Sequence, residues 1–273
     1  MHVRPLILLS GILVSALAGT SQVPETRATP GDPSGIIRRP DGGSNGAIMQ
    51  SLFIPPKAGA PFTMTLSSEW TRPLGNGGTW TLVNERRIAR DTKGRIYQER
   101  WILVPKGGQV KSWMNVFQIT DPEQHIWLNC EVKTKICEML QYTLITEAVY
   151  LPPTLPSGPM PGGIGSRLHQ DLGESSTLGI LTHGFRDTAT INAGAMGNDG
   201  PMISMREFWF SPELGFNLVS IVDDVQSGKQ VFTVKEISTG EPNQSYFEIP
   251  SDYKVVDHRY EKTTDQDPAP TAR

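Results

Sequence analysis

Asp91-Thr92-Lys93-Gly94 is the feature that most limits what this chain can become. It divides residues 79–103, TWTLVNERRIARDTKGRIYQERWIL, into two stretches rich in β-branched and aromatic residues, the composition of strands. Asp at the first position and Gly at the fourth suit a type I turn. A three-residue loop, 92–94, then places Gly94 in the left-handed region as a bulge. The register follows. Asp91 faces Arg95, Arg87 faces Glu99, Val83 faces Leu103 and Leu82 faces Val104. A two-residue loop at Lys93-Gly94 instead sets Arg87 against Arg100, and directly opposed like charges are destabilising. The three-residue loop has its own conflict, Arg86 opposite Arg100, but it makes two opposite-charge pairs and two apolar pairs.

The surrounding chain repeats the strand habit. Phe62, Met64 and Leu66 alternate with Thr63, Thr65 and Ser67, a period of two. Further strands are expected over residues 110–119, 125–130, 135–140, 142–149, 170–176, 179–191, 202–210, 214–223 and 230–238, with a last extended piece over 252–256. Turn sequences separate them: Gly75-Asn76-Gly77-Gly78, Lys106-Gly107-Gly108, Asn198-Asp199-Gly200-Pro201 and Ser227-Gly228. Residues 241–250 leave room for one helical turn. No long segment has helical periodicity. Residues 151–165, LPPTLPSGPMPGGIG, lack the donors and the stiffness for regular structure and read as a long loop between two halves of a sheet. The expected fold is all-β: one domain over residues 61–257, a large curved antiparallel sheet forming a half-barrel or open barrel.

The ends read differently. Arg4, the apolar run of residues 6–14 and Ala16-Leu17-Ala18 have the charge, length and small-residue site of a secretory signal cleaved near Ala18. Leu17-Ala18-Gly19-Thr20 has Thr where a lipidated Cys would stand, so no lipid is expected. Residues 19–60 are rich in Pro, Gly, Ser and Thr and read as a disordered lead, with a short docking segment near Ile48 to Ile54; residues 258–273 read as a polar tail. The expected location is the periplasm or the exterior of a bacterium, without a transmembrane segment in the mature chain. In an oxidising compartment Cys130 and Cys137, the only two cysteines, are expected to bond across a hairpin whose loop is residues 132–135.

The chemistry is sparse. The 25 basic and 28 acidic residues argue against a nucleic-acid partner. Gly42-Gly43-Ser44-Asn45-Gly46 matches a nucleophile elbow but lies in the lead rather than between strand and helix. Ser251-Asp252-Tyr253-Lys254 matches S-x-x-K, but Pro250 and its extended surroundings deny the helix that motif needs. His125, His169, His183 and His258 have no metal-like spacing. No cofactor is expected, and an enzyme ranks third among the readings. Two groups remain. Six tryptophans fall in or beside strands, and Trp80, Trp101 and Trp113 are the candidates to hold an apolar ligand or a sugar chain. Arg86, Arg87, Arg90, Arg95 and Arg100 cluster on the central hairpin and could grip an anionic group, with Arg86, Arg90 and Arg100 the site candidates. Core packing is the competing reading for the indoles, and neutralisation by Glu85, Asp91 and Glu99 for the arginines. The first reading of function is a non-enzymatic envelope protein that binds a lipid, a glycan or a partner protein in the concavity. The second is an adhesion or assembly module that uses strand edges.

The runs APFTMTLSSEWTRPL, NERRIARDTKGRIYQER, AGAMGNDGP, REFWFSPEL and EPNQSYFEIPSDYKVVD resemble a family of exported bacterial proteins of unknown function, frequent in soil acidobacteria. The resemblance covers nearly all of residues 60–257 and implies no activity. The closing pattern, with Pro242, Phe247, Pro250, Tyr253 and Val255, is also similar to the end of periplasmic lipoprotein-carrier and sigma-factor-regulator half-barrels. Those carriers open with a helix, and none is evident here.

Overall fold

The computed structural model describes residues 52–142 and 156–259. The expected signal segment, the lead up to residue 51, all but the first residue of the strand expected over residues 142–149, residues 150–155 and the tail after residue 259 lie outside them. The first half supplies β1 (Phe62–Pro73), β2 (Thr79–Arg90), β3 (Ile96–Trp101), β4 (Val104–Pro105), β5 (Met114–Asp121), β6 (Ile126–Glu131) and β7 (Ile136–Gln141). The second supplies β8 (Gly158–Pro159), β9 (Gly165–Thr177), β10 (Ile180–Ile191), β11 (Met202–Ser211), β12 (Phe216–Asp224), β13 (Gly228–Ser238) and β14 (Lys254–Asp257). There is no α-helix among the described residues; one 3-10 turn spans Pro161–Gly163 and another Gln244–Phe247.

All strands join one 14-stranded curved sheet that does not close. Two antiparallel meanders meet side by side where β1 pairs β13. β14 returns to lie parallel to β7. The all-β, half-barrel form read from the sequence is the form observed.

The pleat sorts the core onto two faces. On β1, Phe62, Met64, Leu66 and Trp70 point to one face and are buried, while Thr63, Thr65 and Ser67 point to the other. The first face joins Ile88, Ile96, Leu218, Phe232 and Val234 into the larger core, and Leu52 and Ile54 lie against it. Each such side chain contributes roughly 1.5–3 kcal/mol on burial. The second face carries a smaller core, Ala89, Tyr97, Phe117, Ile119 and Leu128 with the two cysteines, covered by Phe247, Tyr246 and Tyr253 from the crossing between β13 and β14. This explains the closing pattern of the sequence, whose aromatic residues seat that crossing on the sheet.

Three expectations are corrected. The disordered lead does not run to residue 60, and the docking expected near Ile48 to Ile54 is seen from residue 52 onward. Residues 52–60 are seated on the sheet, because Leu52 and Ile54 are apolar enough to bury and Lys57 caps the carbonyls of Pro212 and Glu213 at 2.8 and 2.7 Å. The Pro/Gly-rich loop is partly regular, since β8 pairs with Ser166 and Arg167. β9 begins at Gly165, ahead of the expected strand. Its polar outer residues hide the alternation, while its pairing with β10 runs the full length.

The β2–β3 turn forms as expected. Gly94 has φ 85° and donates to the Asp91 carbonyl at 3.0 Å. Asp91 and Arg95 pair across it, with a carboxylate–guanidinium contact of 2.6 Å. Both covering segments end on this turn. Gly59 donates to the Thr92 carbonyl, Thr92 donates to Glu241, and Arg95 donates to Gln244 while lying over the Phe247 ring.

Cys130 and Cys137 sit directly opposite on β6 and β7, bonded, with Cα atoms 3.9 Å apart. Reduction should lower stability by about 2–3 kcal/mol, the closure entropy of so short a loop. Urea unfolding with and without reductant checks this, and the midpoint should fall on reduction. An unchanged midpoint contradicts it.

Candidate functional site

From the turn, β2 and β3 pair through Arg90–Ile96, Ala89–Tyr97 and Ile88–Gln98. The next amide departs from the ladder: Arg87 N–H donates to the Glu99 carboxylate at 3.0 Å. Beyond it the strands separate, and the short β4 lies beside β2 instead, with Val83 opposite Val104 and Leu82 opposite Pro105. The expected apolar pairs were therefore one residue out, because the register was carried straight through a bend. Asn84 spans the gap by donating to the Trp101 carbonyl at 2.6 Å.

The separation opens a cleft of about 660 Å3 on the second face. Thr65, Ser67 and Glu69 of β1 form its floor with Val83, Glu85 and Arg87 of β2. Glu99, Trp101 and Val104 form one wall, and Lys106, Ser112 and Lys235 complete the rim. Glu99 organises that wall, accepting from the Arg87 amide, from the Tyr97 hydroxyl at 3.3 Å and from the Trp101 indole at 2.8 Å. Burial, and after it the Glu99 charge, pushes the Tyr97 hydroxyl far above the ordinary tyrosine range, so it stays a donor. The Arg87 guanidinium donates to Tyr246 at 3.1 Å, which ties the cleft to the crossing segment. Lys106 and Glu69 bridge at 2.8 Å on the exposed rim, a contact worth at most about 1 kcal/mol.

The arrangement offers an apolar strip of Trp101, Val83 and Val104 beside charges of both signs. Glu99 already holds three donors, so it serves as an anchor for the wall rather than a free base.

Of the residues singled out from the sequence, Trp101 and the buried Arg86 line the cleft. Trp80 is exposed at the start of β2, on the opposite face from Arg87, and Trp113 is exposed in the loop before β5. Arg100 points to the first face, where it donates to Gln118 at 2.9 and 2.5 Å, and Gln118 donates on to Asn129. Arg90 lies away from the cleft, fully buried, and makes four hydrogen bonds to the carbonyls of Ala60, Pro55 and Leu214, with the Phe62 ring 4.9 Å away. Sequence reasoning took Glu99 only as a neutralising charge and Arg87 as one of the hairpin arginines, and it missed Lys106 and Lys235 as lining groups. The signal for Glu99 was its spacing from Trp101, two apart and so on one face. The same device recurs at Glu207 and Trp209, bonded at 2.9 Å, with the indole seated over Gly184.

The histidines of β9 and β10 form two carboxylate pairs around Phe185: His169 with Asp187 at 2.6 Å and His183 with Asp171 at 2.7 Å. Among the described residues no three His, Cys, Asp or Glu side chains converge as a metal site.

No family model matches the chain, and no curated protein matches it. Among solved structures it is similar to an uncharacterised conserved protein of Thermus thermophilus, at 11% identity over 73% of this chain and 91% of that one, TM-score 0.37. It is also similar to MucB of Pseudomonas aeruginosa, solved with MucA, at 14% identity over 72% and 58%, TM-score 0.34. A third is the Mycobacterium tuberculosis lipoprotein LppX, at 11% identity over 68% and 90%, TM-score 0.23. Likenesses this distant assign no function.

Proposed function

We propose that this is an exported, non-enzymatic binding protein of the bacterial envelope that holds an amphipathic ligand in the cleft between β2 and β3. The observation that carries the reading is the cleft itself. A carboxylate and an amide side chain, Glu99 and Asn84, hold two neighbouring strands apart where simple pairing would close them. The apolar body of a lipid or the face of a glycan lies along Trp101, Val83 and Val104. Its polar end faces Lys106, Lys235 and Glu85. The signal segment supports export, and the cysteine bond supports an oxidising compartment.

Native mass spectrometry of the chain purified from its own envelope tests this. The expected result is a co-purified lipid or glycan that is lost from a Ser67→Trp chain, whose indole fills the cleft floor. A stoichiometric protein in its place favours the assembly reading. A ligand retained by Ser67→Trp overturns the site.

A further inference from the structure

A second surface borders the cleft at one end of the sheet. Leu74, Trp80, Val110, Trp113 and Val225 are each between 43% and 55% exposed. They fall on or beside three loops, residues 74–78, 106–113 and 225–227, that cluster at one end of the sheet. Pairing and hydrogen bonds show the clustering. Arg72 lies opposite Trp80 and donates to the Gln226 carbonyl, Trp70 donates to the Ser227 carbonyl, and Lys106 donates to the Thr81 carbonyl. The three loops contain Lys106 and Lys111 and no acidic residue. The turn at the far end of the same β2 strand is the one that holds both covering segments.

Single exposed apolar residues are ordinary; five on or beside adjacent loop tips, one of which carries two lysines, form a defined surface. We propose that this rim docks on an anionic bilayer surface. Indoles favour the boundary between headgroups and acyl chains, which accepts an apolar ring with a polar N–H. Lys111 complements anionic headgroups, while Lys106 is bridged to Glu69. The apolar groups stand on separate tips, two of them glycine-bearing, rather than on one flat patch, which suits shallow insertion at several points. The loop of residues 106–113 supplies Lys106 and Ser112 to the cleft lining, so docking brings the mouth of the cleft to the membrane. The proposal stands whatever occupies the cleft.

Flotation of the full exported chain with vesicles tests it, using phosphatidylglycerol with phosphatidylethanolamine against phosphatidylcholine alone. The chain should float with the anionic vesicles only, and added salt should weaken binding. Brominated acyl chains should quench tryptophan fluorescence. A Trp80→Ser, Trp113→Ser double variant should bind at least tenfold more weakly at an unchanged melting temperature. Should that variant fail to fold, Val110→Asp should show the same loss. Leu181→Ser, exposed at the opposite end of the sheet, should bind as the parent does. Ser67→Trp should also float normally, so failure of the cleft reading and failure of this one are distinguishable. No flotation, equal binding by the rim variants, or equal loss in Leu181→Ser overturns the proposal. So does a double variant that loses self-association or a bound protein while keeping its vesicle affinity.

Discussion

Arg90→Ala should cost on the order of 4 kcal/mol or more, a large part of the stability of a typical domain. The guanidinium sits without solvent exposure between Phe62 and Phe216 and serves three carbonyl oxygens. Truncation strands those acceptors, at about 1–3 kcal/mol each when no water replaces the donor, and leaves a cavity in the larger core. Arg90→Met keeps much of the volume and still strands the acceptors, so it should recover only the cavity part. Arg90→Lys should recover little, because one ammonium cannot reach oxygens spread over Pro55, Ala60 and Leu214. Burial pulls the Arg90 pKa down to about 10, so the group is charged at neutral pH and its desolvation opposes folding. The sign follows from proton binding. Above pH 10 the unfolded chain holds the proton more firmly than the folded one, so this opposition is fully present below pH 10 and is relieved only above it. The four hydrogen bonds and the two rings offset it. Urea unfolding at pH 7 gives the measurement; an Arg90→Met chain within about 1 kcal/mol of the parent would show that the carbonyls find other partners.

Gly94→Val should be the next most damaging change, and Lys93→Ala beside it nearly neutral. The left-handed backbone at Gly94 costs a β-branched residue about 1–3 kcal/mol. A side chain there also meets the covering segment, since a Cβ would lie 3.0 Å from the Pro56 carbonyl oxygen. The backbone of residues 52–60 must move to admit it, and Leu52 and Ile54 sit on that segment. Besides a lower unfolding midpoint, Gly94→Val should therefore become sensitive to proteolysis within residues 52–60. Gly94→Ala should fall between, with the strain but a smaller collision. Proteolysis unchanged in Gly94→Val would show that the turn and the covering segment are energetically separate.

What was legible in the sequence was what short-range chemistry controls. The alternation of Phe62, Met64 and Leu66, the Asp91 to Gly94 turn and the opposition of Cys130 and Cys137 each depend on neighbours in the chain or across one hairpin. The register error at Val83 marks the limit. Nothing local announces that the Glu99 carboxylate will take the Arg87 amide and part the strands. The role of Arg90 was hidden for the same reason. An arginine on a charged hairpin looks like a surface group until residues 52–60 and the Leu214 turn arrive from far along the chain to supply carbonyls. The indoles were counted correctly but could not be sorted by face. Trp101 belongs to the cleft, while Trp80 and Trp113 stand at the loop rim.

The cleft is the central claim, and the six indole N–H signals of the protein in solution test it most directly. Titrating the lipid and glycan extract of the source envelope into nitrogen-15-labelled protein should shift the Trp101 indole signal, because its N–H is anchored to Glu99 on the cleft wall. Trp209, held by Glu207 on β11, should not move. A saturable shift at Trp101 that disappears in Ser67→Trp is the predicted result. A shift at Trp209 with Trp101 unmoved would place the ligand elsewhere on the sheet and contradict the account.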